Sequence, residues 1–96
     1  MIIVGTNRID AFVRKHVQAR KPLMTWIRKT KNATWTNSAD VKATFTDVDN
    51  PGGFYIFNIA YNKYRLVVII KFVDGIVAIQ EVMTHADYNR WCAKIR

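Results

Sequence analysis

Residues 54–83 read FYIFNIAYNKYRLVVIIKFVDGIVAIQEVM, and this stretch decides the fold. It is rich in β-branched and aromatic residues and falls into three runs, Phe54–Tyr61, Lys63–Phe72 and Ile76–Met83, each predicted to be a strand. Asn62 lies in the first link and Asp74-Gly75 in the second. Links this short join antiparallel neighbours, so the three strands make a meander. In the middle run, a period of two sets Tyr64, Leu66, Val68, Ile70 and Phe72 on one face, where helices would cover them. Lys63, Arg65 and Lys71 fall on the other face. Three cations are also what a solvated sheet face shows; the planar fork of Arg65 adds a group suited to bidentate phosphate contact.

Outward from the meander the pattern turns helical. Ile2-Ile3-Val4 is a short strand. Thr6 or Asn7 then caps a helix with Asp10 in its first turn, and Ile9, Phe12, Val13 and Val17 form an apolar stripe that stops near Ala19. Pro22 suits the first turn of a second helix, whose inner face is Leu23, Trp26, Ile27 and Thr30. So short a link predicts a helical hairpin. Ser38 and Asp40 start a short helical turn over Ala39–Phe45, and Asp47–Gly53 is a loop by composition. Thr84, with Asp87 three residues on, caps a last helix whose apolar face is Tyr88, Trp91, Cys92 and Ile95. The expected class is α+β over a single domain, residues 1–96. An N-terminal strand and helical hairpin pack on an antiparallel meander with a short C-terminal helix, and the helices cover one sheet face and leave the other available.

The bulk numbers narrow the partners. Fifteen Lys and Arg against seven Asp and Glu give a net charge of +8 over 96 residues. Residues 1–35 hold eight of the basic groups against Asp10 alone. Nucleic acid, an acidic protein or an anionic membrane would each suit such a surface, and RNA is the favoured partner. The apolar run Met1–Val4 ends at Gly5, and Leu66–Ile70 is only five residues, so neither a signal peptide nor a membrane span is expected. Cys92 is the single cysteine, which rules out an intramolecular disulfide and fits a reducing cytoplasm.

One Cys and two distant His do not make a closed zinc site, and the acids are scattered, so no metal and no cofactor are expected. Ser38, the only serine, lies in no nucleophile motif, and Gly52-Gly53 precedes a strand where a phosphate loop would need a helix. What remains is metal-free chemistry on a phosphate backbone, or binding without chemistry. RNA brings its own nucleophile, the 2′-hydroxyl, and asks of a protein only proton transfer and cations for the developing charge. Arg65, His85, Tyr88 and Lys71 are groups of the right kind, and Trp35 or Tyr61 can stack an unpaired base. Taken alone, His85 is more often an ordinary helix-start residue, and His16 reads as a rim residue of the hairpin.

Several of these elements resemble the signature of HigB-family toxins, within the RelE-like group of type II toxin–antitoxin systems. They are Trp35 with Ala39-Asp40-Val41-Lys42, Phe57-Asn58-Ile59, Asn62-Lys63-Tyr64-Arg65-Leu66-Val67-Val68 and Thr84-His85-Ala86-Asp87-Tyr88. The resemblance implies a RelE-like fold with an antiparallel or mixed sheet. It implies an endoribonuclease that cuts mRNA, typically on the ribosome, and so stops translation. It also implies a HigA-type helix-turn-helix antitoxin as partner, in a hetero-oligomer that binds operator DNA through the antitoxin. By position, Arg65, His85 and Tyr88 fall where the family places its catalytic groups, and Lys42 and Lys63 match basic positions that hold RNA or ribosome. Lys71 joins them from strand alternation alone. The chain departs from the family at Tyr61, where relatives usually carry a glycine that supplies positive φ cheaply. The alternative is a non-catalytic RNA- or ribosome-binding module on the same fold, which would show salt-sensitive binding and no cleavage products.

Overall fold

The computed structural model describes residues 1–95, the last by its backbone alone, so the expected place of Ile95 on an apolar helix face lies outside the described residues. In chain order the elements are β1 (Ile2–Val4), α1 (Thr6–Lys15), α2 (Arg20–Lys31), α3 (Ser38–Thr44), β2 (Val48–Asp49), β3 (Tyr55–Ile59), β4 (Tyr64–Lys71), β5 (Ile76–Thr84) and α4 (His85–Ile95). The strands form one five-stranded sheet in the order β1-β5-β4-β3-β2. The expected meander is its centre: β3 pairs antiparallel with β4, and β4 with β5. The sheet as a whole is mixed, because β1 runs parallel to β5, with Ile2 opposite Ile76 and Val4 opposite Ala78. At the far edge Val48 and Asp49, expected in a loop, pair with Phe57 and Ile56. Burial explains this: Val48 is an apolar residue with 9% exposure, and pairing satisfies the backbone that its burial takes out of water.

One face carries the main core, and the alternation of β4 predicts it well. Tyr64, Leu66, Val68 and Ile70 pack there with Ile9 of α1, Leu23 and Trp26 of α2, and Val41 of α3. Trp26, Phe45 and Phe57 form an aromatic trio with ring centroids 5.2–6.3 Å apart. Each fully buried large side chain of this kind contributes about 1.5–3 kcal/mol.

The helices differ in detail from their periodicity. At His16 the backbone leaves the helical region (φ −130°), so α1 stops at Lys15 and a 3-10 turn, Val17–Ala19, leads into α2. Val17 therefore leaves the apolar stripe and is 73% exposed. Neither Thr6 nor Asn7 caps α1, and Asp10 falls beyond its first turn; Gly5 holds the N-cap position at φ +87°. A Cβ there would come within 3.1 Å of the Ile79 carbonyl oxygen, so strand and helix start meet too closely for a side chain. At α3 the cap is Asn37, whose side chain accepts from the Asp40 N–H, while the Asp40 carboxylate accepts from the backbone and hydroxyl of Thr36, both at 2.8 Å. Those bonds hold the Asp40 carboxyl below the usual carboxylate range.

The second face is where expectation and structure part. All helices were expected on one side, yet α4 crosses to the other, where Tyr88 and Trp91 pack with Phe54 against Ile56, Val67 and Met83. A bulge in β5 prepares this. Val67 pairs with Glu81 but its neighbour Val68 pairs with Ile79, which leaves Gln80 extra. The inserted residue shifts the alternation, so Val77 and Ile79 face the main core while Met83 reaches the second. Thr84 then caps α4, accepting from the Asp87 N–H at 3.2 Å, as expected.

Candidate functional site

The link between β3 and β4 is a strained turn. Ala60 and Tyr61 both have positive φ, 54° and 62°, a conformation that costs a residue with a Cβ about 1–2 kcal/mol. Tyr61 thus adopts the glycine-like geometry itself. Its ring is 97% exposed. The turn closes with the Lys63 N–H on the Ala60 carbonyl, and the Lys63 carbonyl accepts the His85 N–H at 2.9 Å. This second bond ties the start of α4 to the turn.

Between turn and helix lies Arg65, 7% exposed, on the second face. Its Nη1 donates to the carbonyls of Asn62 (3.2 Å) and Tyr64 (3.1 Å). Its Nη2 bonds the Asn62 side-chain oxygen and, at 3.0 Å, His85 Nδ1. The guanidinium also stands over the Tyr88 ring, 5.4 Å from its centroid. The fork expected to grip phosphate is therefore spent inside the protein: both terminal nitrogens are engaged, and only the Nε–H is uncommitted. Burial, with a hydrogen bond to Cys92, pushes the Tyr88 phenol up to about 12. The phenol thus stays a neutral O–H donor across the physiological range.

The remaining expected residues scatter. Lys63 is exposed beside the cluster. Lys71 shares the strand face of Arg65 but lies at the other end of β4, roughly 20 Å away along the strand. Lys42 is exposed on α3, which joins the opposite side of the sheet through Val41. Trp35, expected to stack a base, is 3% exposed; its indole donates to Thr44 Oγ1 at 3.0 Å and packs on Phe45, so it offers no open ring face. Tyr61, the other aromatic considered, is the exposed one.

Asn62 is a contributor that sequence reasoning missed. It was visible as part of the Asn-Lys-Tyr-Arg element, but its role, two acceptors for one guanidinium, needs the turn geometry. Among the described residues no three His, Cys, Asp or Glu side chains come together as a metal centre. All eight basic residues of the first third (Arg8, Arg14, Lys15, Arg20, Lys21, Arg28, Lys29 and Lys31) are exposed. Among the described residues the one ion pair is Asp87 with Arg90, far along the chain from them.

No helix among the described residues is long and apolar enough to cross a membrane. Residues 19–91, well over half of the chain, match the family model described as HigB_toxin, the RelE-like toxic component of a toxin–antitoxin system. No curated protein matches the chain.

Proposed function

The chain belongs to the HigB toxin family of RelE-like toxic components, and from that premise we propose that it is an mRNA interferase, a metal-independent endoribonuclease. A toxic component implies an antitoxin partner; here that partner is a HigA-type helix-turn-helix protein, and the pair binds operator DNA through it. The toxin acts in the cytoplasm, on mRNA held by the ribosome. In the reaction the 2′-hydroxyl gives up its proton as its oxygen bonds to the adjacent phosphorus, the bond to the 5′-oxygen breaks, and that oxygen takes up a proton as it leaves a 2′,3′-cyclic phosphate behind.

The observation that carries this reading is the cluster of Arg65, His85 and Tyr88, which joins a sheet strand to a helix start beside an exposed turn. It supplies a cationic centre and hydrogen-bond donors where a phosphorane would build negative charge. Tyr61 and Lys63 stand beside it, free to stack a base and pair with a backbone phosphate. The cations of α1 and α2 suit long-range attraction to ribosomal RNA.

Brief induction followed by mapping of mRNA 5′ ends tests the proposal. New ends within translated regions are expected, and His85→Ala abolishes them. An unchanged transcript profile, with growth arrest intact, would overturn the nuclease reading in favour of a binding module that blocks the ribosome.

A further inference from the structure

We infer that Arg65 is a positioning residue that sets the tautomer of His85, with the ring proton on Nε2, so that His85 meets RNA phosphate as a hydrogen-bond donor and not as a general base. The phosphate half of this inference rests on the ribonuclease reading; the tautomer half does not.

A guanidinium has only N–H groups to offer, so at 3.0 Å from Arg65 Nη2 the ring nitrogen Nδ1 of His85 must accept. A neutral imidazole that accepts at one nitrogen carries its proton on the other. Asn62 and the Tyr64 carbonyl hold the guanidinium in this position, over the Tyr88 ring. The charged and titratable groups of this corner are Arg65 from β4, Lys63 from the turn, His85 and Tyr88 from α4, and Asp49 of β2 beside Tyr88.

The consequence is chemical. A base needs a bare Nε2, and this arrangement covers it with a proton. The same proton makes the ring a donor at Nε2. It is a good fixed donor to an anionic oxygen, a role neutral histidines fill elsewhere. In this role His85 stabilises the charge that builds on the phosphorane.

Two measurements decide it. Nitrogen-15 NMR of the histidine rings in the intact chain at neutral pH, with His16→Gln leaving one ring to observe, should show Nδ1 bare and Nε2 protonated. A protonated Nδ1, in a neutral or charged ring, would overturn the inference. In a folded Arg65→Met variant the preference should relax to a tautomer mixture; an unchanged ring would mean that Arg65 does not set it. Cleavage on translating ribosomes gives the second readout. His85→Ala should lose about 10²–10³-fold, the usual cost of one transition-state donor. His85→Gln, which keeps an N–H near the Nε2 position but cannot shuttle protons, should recover most of that loss. If Gln is as inactive as Ala, the donor role is wrong. If the wild type cuts no RNA, the ribonuclease reading and the phosphate role fall together, and the NMR result still decides the Arg65–His85 lock.

Discussion

The two faces of the sheet are built on opposite principles. The face under α1, α2 and α3 is a broad apolar core in which Leu23, Trp26, Phe57 and Leu66 are almost wholly buried. The face under α4 has a small apolar centre of Ile56, Val67 and Met83 and, at its edge, a buried arginine whose partners are carbonyls, an amide, an imidazole and a phenol ring. Packing on the first face is non-directional, and many neighbours share the loss of any one group. On the second face each bond has one partner and one geometry, which is what a reacting site demands. The contrast separates what keeps the chain folded from what would make it a toxin.

Substitutions can break that contrast or sharpen it. The largest expected effect is on the first face: Phe57→Ala should cost about 3–5 kcal/mol, a large share of the stability of a domain this size, read by denaturant unfolding. Arg65→Met on the second face should cost less, about 1–3 kcal/mol for acceptors left unpaired. Its cleavage should nevertheless drop by about 10²-fold or more. A variant that loses stability as Phe57→Ala does, or keeps full cleavage, would erase the distinction. Tyr61→Gly should move the two properties in opposite directions. Relief of the positive φ should raise stability by about 1 kcal/mol, while loss of the exposed ring should weaken RNA binding by about 1–3 kcal/mol. Parallel unfolding and RNA-binding titrations would show it. The smallest effect belongs to Thr30, whose hydroxyl is buried without a partner. Thr30→Val keeps the shape and should raise the unfolding midpoint slightly, by up to about 1 kcal/mol, with cleavage unchanged.

Much of the first face was legible because periodicity encodes burial. Tyr64, Leu66, Val68 and Ile70 sit where alternation put them, and Leu23, Trp26 and Thr30 where helical spacing did. Val17 broke the pattern because a turn at His16 interrupts the helix, and no glycine or proline marks that point. Trp35 misled in the other direction: an aromatic among polar residues looked available, but Thr44 and Phe45 enclose it. The candidate site was legible by membership more than by arrangement. Arg65, His85 and Tyr88 were singled out and do meet, whereas Lys42 and Lys71 stand apart from them.

The sequence by itself determined the main helices, the three-stranded meander and the basic first third, because these follow from local spacing and composition. It also carried the family, through motifs that survive in order along the chain. Only the tertiary structure decided that β1 pairs in parallel, that α4 lies on the second face, and that Arg65 turns inward to His85 and Asn62. Each depends on contacts between residues distant in sequence, and on a single extra residue in β5 that shifts which side chains face which way. Alternation can say that a cation lies on a given face; whether its N–H groups end on a substrate or on neighbouring carbonyls is settled by three-dimensional geometry alone.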